Sequence, residues 1–179
     1  PDKPFGSMNS EEHLAAARQI AGEGMVLLKN DNGLLPLDPN KVKTIAVVGE
    51  NAIKMMTVGG GSSSLKVRRE FSPLEGIRDY LGDRAEVIYE RGYVGDVTGN
   101  YNGVETGQDL SESRSPQQLI DDAVAAARKA DAVIFVGGLN KSDHQDSEGA
   151  DRTSLGLPYG QDTVIEALAA ANPNLTVLN

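Results

Sequence analysis

Cysteine and tryptophan are absent from the 179 residues, and histidine occurs only twice, as His13 and His144. Without cysteine there are no disulfides and no thiolate metal sites. Two histidines exclude a histidine-rich metal centre, and no metal or other cofactor is expected. The same absence leaves the compartment open, since cytoplasmic, periplasmic and secreted locations all suit a cysteine-free soluble chain. Aromatic residues are few, three Phe and five Tyr, so the core must be built from Ala, Val, Ile and Leu. Basic charge is outweighed, 17 Lys and Arg against 26 Asp and Glu, for a net charge of −9. A nucleic-acid surface needs a basic field, so no nucleic-acid partner is expected. No run approaches the ~18 apolar residues of a membrane span, and no signal peptide is visible.

What is present describes a globular α/β chain. Apolar residues make up 39%, and the length suits one full-sized domain. Thr44 to Val48 and Ala132 to Val136 are short continuous apolar runs, the pattern of strands buried on both faces. Ala85 to Tyr89 and the stretch from Leu175 predict two more strands. A helix is expected from about Ser10 to Leu28, with Asn9 as cap, Glu12 completing the capping pair, and Gly22 and Gly24 weakening its last turns. Ser72-Pro73 and Ser115-Pro116 each place a capping hydroxyl before a proline at the first helical position. They start helices running to about Leu81 and Ala130. A fourth helix is predicted over about Gly160 to Ala171. Gly92 to Ser113 is expected to be an exposed excursion with little regular structure. Alternating strands and helices with continuous apolar strands predict a mostly parallel sheet sandwiched by helices. Residues 1–9, rich in Pro, Gly and Ser, read as a linker from a missing upstream domain. Residues 10–179 read as one α/β domain, truncated at its C-terminus.

Two stretches invite chemistry. The Gly59-Gly60-Gly61-Ser62-Ser63-Ser64 run follows the first buried strand. It supports three readings: a surface loop, a phosphate cradle, or a set of hydroxyls presented to a polyol. The cradle lacks a P-loop lysine and the G-x-G-x-x-G spacing. The second stretch leaves the strand at Ala132–Val136 through Gly137-Gly138 and carries Asp143, His144, Asp146, Glu148, Asp151 and Arg152. Open α/β sheets put ligand chemistry in loops leaving the carboxyl ends of their strands. The acids read as a solvated cluster, as calcium ligands without the EF-hand spacing, or as a site holding a general acid. Glu148, between Ser147 and Gly149, is the candidate acid, because small neighbours let its carboxylate reach into a cleft. Asp151 and Arg152 are expected to pair and hold the loop's distal limb, and His144 reads as an ordinary loop residue.

Five ordered blocks span nearly the whole chain: GMVLLKNDNGLLPL at 24–37, KTIAVVGENA at 43–52, the GGGSSS run, SPLEGI at 72–77, and GLN…SEGADRTSLGLPYGQ over 138–161. Together they resemble glycoside hydrolase family 3, specifically its second, α/β-sandwich domain of the β-glucosidase type. The resemblance implies a retaining, exo-acting β-glycosidase acting on terminal β-glucosyl residues. Its active site would lie between this domain and an N-terminal (β/α)8 barrel that supplies the aspartate nucleophile. The family's acid/base glutamate falls on Glu148, and the serine facing the sugar on Ser63, with Ser62 beside it. Retaining hydrolysis uses two carboxyl groups about 5–5.5 Å apart, so this stretch alone, with no barrel, is expected to be inactive. Gly22-Glu23-Gly24 departs from the family's paired acids. The rival readings are a non-catalytic ligand-binding domain and a β-xylosidase of the same family. An upstream barrel with an S-D-W-like segment would separate the first from an enzyme. The sequence leaves the oligomeric state open.

Overall fold

The computed structural model describes residues 5–57, 67–95, 97, 100–101, 104–105, 107–140, 145 and 151–179. The chain divides into two compact units, Pro1–Pro36 and Leu37–Asn179. In the first, helix α1 covers Glu11–Glu23 and buries none of its residues. It is shorter than the sequence suggests because Gly24 ends it, its N–H returning to the carbonyls of Gly22 and Ile20. The cap is Ser10 rather than Asn9. The Ser10 hydroxyl accepts from the N–H of His13, whereas Asn9 sits at a left-handed φ of 55°. After α1, the Asn30 side chain donates to Leu35 O at 2.8 Å and accepts from Leu35 N at 2.9 Å, closing the Asp31–Gly33 turn.

The second unit holds a sheet of four parallel strands: β1 (Thr44–Val48), β2 (Glu86–Glu90), β5 (Ala132–Val136) and β6 (Leu175–Leu178), in the order β2-β1-β5-β6. The central pair reads as the sequence predicts, with Ala46 and Val47 in β1, and Val133 and Phe135 in β5, sealed from solvent. β2 begins one residue later than expected. Its first pairing, Thr44 with Glu86, leaves Ala85 just outside the ladder.

Alternation along the strands divides the apolar residues between the two faces. Ala46, Val48, Val133 and Phe135 pack against α3 (Pro116–Lys129) and α4 (Gln161–Ala171) through Ala123, Ala127, Val164 and Leu168. Ile45, Val47, Ile134 and Val136 pack on the opposite side with α2 (Pro73–Leu81) through Leu74, Ile77 and Leu81. A sheet covered on both sides explains why its strands carry no polar alternation. Ser72 caps α2 with a reciprocal Glu75 bond, and Ser115 caps α3. Such caps contribute about 1 kcal/mol each. The Gly92–Ser113 excursion contains a regular piece the sequence reading missed, a short antiparallel pair of β3 (Asn100–Tyr101) and β4 (Val104–Glu105). Two-residue strands leave too little periodicity to detect.

Candidate active-site edge of the sheet

The carboxyl ends of the strands meet at a closely packed edge. The chain leaves β1 through Gly49, whose φ is 127° and whose missing Cβ would stand 2.1 Å from the carbonyl oxygen of Val136. Only glycine allows the β1 and β5 exits to approach this closely. A 3-10 turn, Glu50–Ala52, follows, and all three of its residues are buried.

Glu50 is fully buried. Its carboxylate accepts from Lys54 Nζ at 3.1 Å, from Arg91 Nη2 at 2.9 Å and Nε at 3.2 Å, and from Gly95 N at 2.6 Å. Lys54 and Arg91 are themselves 1% and 5% exposed. A buried carboxylate is tolerated only when charge and hydrogen bonds both compensate its lost hydration. Here they do, and the cluster ties the β1 exit to the β2 exit.

Asn51 ties the same turn to β5. Its Nδ2 donates to Gly137 O at 2.8 Å, and its Oδ1 accepts from Asn140 Nδ2 at 3.3 Å. From the other side Gln161, at the start of α4, accepts from Gly138 N at 2.9 Å and donates to Gly138 O at 3.0 Å. Further along the loop, Gln145 is buried, with its Oε1 accepting from Asn140 N and its Nε2 donating to the Tyr159 hydroxyl. Tyr159 stacks on Tyr93 at 6.4 Å between ring centroids. Burial pushes the Tyr93 phenol above its usual range.

The other loop is held at its base. Gln108 bridges Met55 N and Ile53 O, and Thr57 N donates to Glu70 at 2.6 Å, closing the two limbs around residues 58–66. Ser62 and Ser63 lie outside the described residues, as do Asp143, His144, Asp146 and Glu148. Asp151 and Arg152 are described and exposed, and no ion pair joins them. The expected pairing is corrected: two solvated charges gain little from each other, and the side-chain bond seen here joins the buried Gln145 to the Tyr159 hydroxyl. The residues sequence reasoning missed are Glu50, Asn51, Lys54, Arg91 and Gln161. The available signal was a carboxylate directly after a buried strand with a lysine four residues on.

A second charge network flanks this edge. Arg114 binds Glu112, Glu90 and Asp122 at 2.9–3.0 Å. Hydrogen bonds from the Arg114 side chain, then from its backbone, hold the Glu112 carboxyl down at about 2. The folded value lies below the ordinary 4.5, so its contribution to stability is present above pH ~4.5 and is lost as pH falls toward 2. Urea midpoints measured across that window should fall with acidification, and Arg114→Met should flatten the fall.

A groove of about 350 Å³ runs beside α2 and is lined by Leu37, Pro39, Val42, Ile77, Tyr80 and Ile134 among others. It offers no carboxylate and so no hydrolytic chemistry. Among the described residues no helix is long and apolar enough to cross a membrane, and no cluster could hold a metal.

Comparison with known proteins places these features in context. The glycosyl hydrolase family 3 C-terminal domain matches residues 25–179. Beta-glucosidase BoGH3A of Bacteroides ovatus is 45% identical over 98% of this chain, which spans 23% of that enzyme. A beta-xylosidase of Formosa agariphila is 32% identical over 94% of the chain and 22% of its own length. The solved family 3 beta-glucosidase of Bifidobacterium adolescentis superposes with a TM-score of 0.72 at 30% identity, covering 98% of this chain and 23% of that one. The chain thus spans under a quarter of these relatives.

Proposed function

The chain belongs to glycosyl hydrolase family 3 as its C-terminal domain, and we propose that it supplies the acid/base carboxylate, Glu148, of a retaining, exo-acting β-glucosidase. A barrel domain in the longer protein contributes the aspartate nucleophile. Ser63, with Ser62, faces the bound sugar. The observation that carries this reading is the common origin of the two loops. The run containing Ser62 and Ser63 leaves β1, the segment containing Glu148 leaves β5, and these are adjacent strands with hydrogen-bonded exits. Sugar contact and proton donor therefore start from one sheet edge, where open α/β folds bind ligands.

In this mechanism Glu148 protonates the leaving oxygen while the nucleophile attacks C1, then deprotonates the water that releases the sugar. For the first step the carboxyl must be protonated, which the neighbouring nucleophile and exclusion of water favour. Because the two carboxyl groups come from different domains, the site is complete only in the longer protein.

The test is the stereochemistry of the first-formed product. Hydrolysis of an aryl β-glucoside by the full-length protein, followed by proton NMR, should give β-glucose first, with the α-anomer appearing only by mutarotation. Initial α-glucose would refute retention. A β-xylosidase is the second reading, favoured by the Formosa agariphila relative. A higher kcat/KM on the aryl β-xyloside than on the glucoside would select it.

A further inference from the structure

We infer that Asn51 is a positioning residue for the acid/base step, coupling the β1 loop to the β5 loop so that proton donor and sugar contacts keep a fixed register. The inference rests on the reading of Glu148 above. Among the described residues, Asn51 reaches the β5 exit through the Gly137 carbonyl and the Asn140 side chain.

Four observations support it. Asn51 is 1% exposed, so its amide has no water to exchange with. Both ends of that amide are committed to the β5 exit: Nδ2 donates to Gly137 O, and Oδ1 accepts from Asn140 Nδ2. Asn51 itself is immobilised, because the adjacent Glu50 anchors the turn to Lys54, Arg91 and Gly95 N. Gln161 grips the next residue, Gly138, from the α4 side, again through two hydrogen bonds. The start of the loop bearing Glu148 is thus held between two buried amides, one on each flank. Gly138 needs that support. Its φ of 82° gives a backbone that would otherwise sample many conformations.

Asn suits the position because one planar group donates and accepts at once. An apolar residue would leave the Gly137 carbonyl and the Asn140 amide buried without this partner. The expected consequence is a small displacement of the loop's origin, amplified along the segment that follows. Misplacing a catalytic group by about 1 Å costs on the order of 100-fold in rate.

The test is a double-mutant cycle in the full-length protein, reading kcat/KM on aryl β-glucosides of graded leaving-group pKa. Asn51→Ala should lose on the order of 100-fold on the poorest leaving group and progressively less on better ones. In a Glu148→Ala background the same substitution should change kcat/KM by less than about twofold, because the two act as one unit. An equal loss on every substrate that persists without Glu148 would overturn the inference and leave Asn51 a purely structural residue. If Glu148→Ala itself shows no leaving-group dependence, the assignment of Glu148 fails and the inference falls with it, identifiably by that route. Asn51→Asp, of the same size and keeping Oδ1, replaces the alanine variant should that fail to fold. It should show the same leaving-group slope, and a uniform loss would again overturn the inference.

Discussion

Replacing Glu148 by alanine in the full-length protein is expected to lower kcat/KM by about 10²–10⁴-fold on β-glucosides with poor leaving groups. On a dinitrophenyl glucoside the loss should be far smaller. The difference follows from the proton. A phenolate of low pKa departs unassisted, whereas an alkoxide or an unactivated phenolate must be protonated as the C1–O bond breaks. A residue that donates this proton therefore imprints a steep leaving-group slope on the variant that lacks it. A residue that merely binds sugar would weaken all substrates alike, since every glucoside presents the same ring. Plotting log kcat/KM against leaving-group pKa for wild type and variant checks the expectation. Parallel lines would move attention to Asp146 or Asp143 on the same segment.

Glu50→Gln is expected to destabilise the 179-residue chain by about 3–5 kcal/mol, the usual cost of removing one partner from a buried charge cluster. The substitution conserves shape and removes only the charge. It leaves Lys54 Nζ and the Arg91 guanidinium buried against a neutral amide, with hydration unavailable to either. An amide offers one acceptor oxygen where the carboxylate offered two, so either the Lys54 bond to Oε1 or the Arg91 and Gly95 N bonds to Oε2 lose their acceptor. Urea unfolding followed by circular dichroism measures the change. A shift below about 0.5 kcal/mol, the range of surface substitutions, would mean the cluster contributes little to holding the sheet edge together. The effect should reach catalysis as well, since the turn bearing Asn51 is anchored by the same carboxylate.

The fold was legible where physics is local. β1 and β5 announced themselves as short apolar runs, and the two Ser-Pro starts of α2 and α3 as caps with a preset φ. The end of α1 was misjudged because hydrophobic spacing continues through Met25 and Leu28, while backbone entropy at Gly24 decides otherwise. The buried cluster at the sheet edge was legible only in the i,i+4 spacing of Glu50 and Lys54. Glu50 and Arg91 are 41 positions apart, Asn51 and Gly137 86. Charged and amide side chains are exposed by default, so nothing in a single sequence marks these as buried. Only the sheet, by bringing the ends of β1, β2 and β5 together, makes them partners. Glu148, Ser62 and Ser63 were the reverse case. Their candidacy came from family-like motifs in the sequence, and they lie outside the described residues.

The most direct test of the central claim is azide rescue of Glu148→Ala in the full-length protein. With the carboxylate gone, the alanine cavity admits a small anionic nucleophile that needs no general base to attack the glycosyl-enzyme. With an activated aryl β-glucoside, turnover should rise with azide concentration, and the product should be the β-glucosyl azide. Its formation on the β face would establish both the acid/base role of Glu148 and double displacement. An α-glucosyl azide, or a rate indifferent to azide in a variant that still binds substrate, would contradict the account.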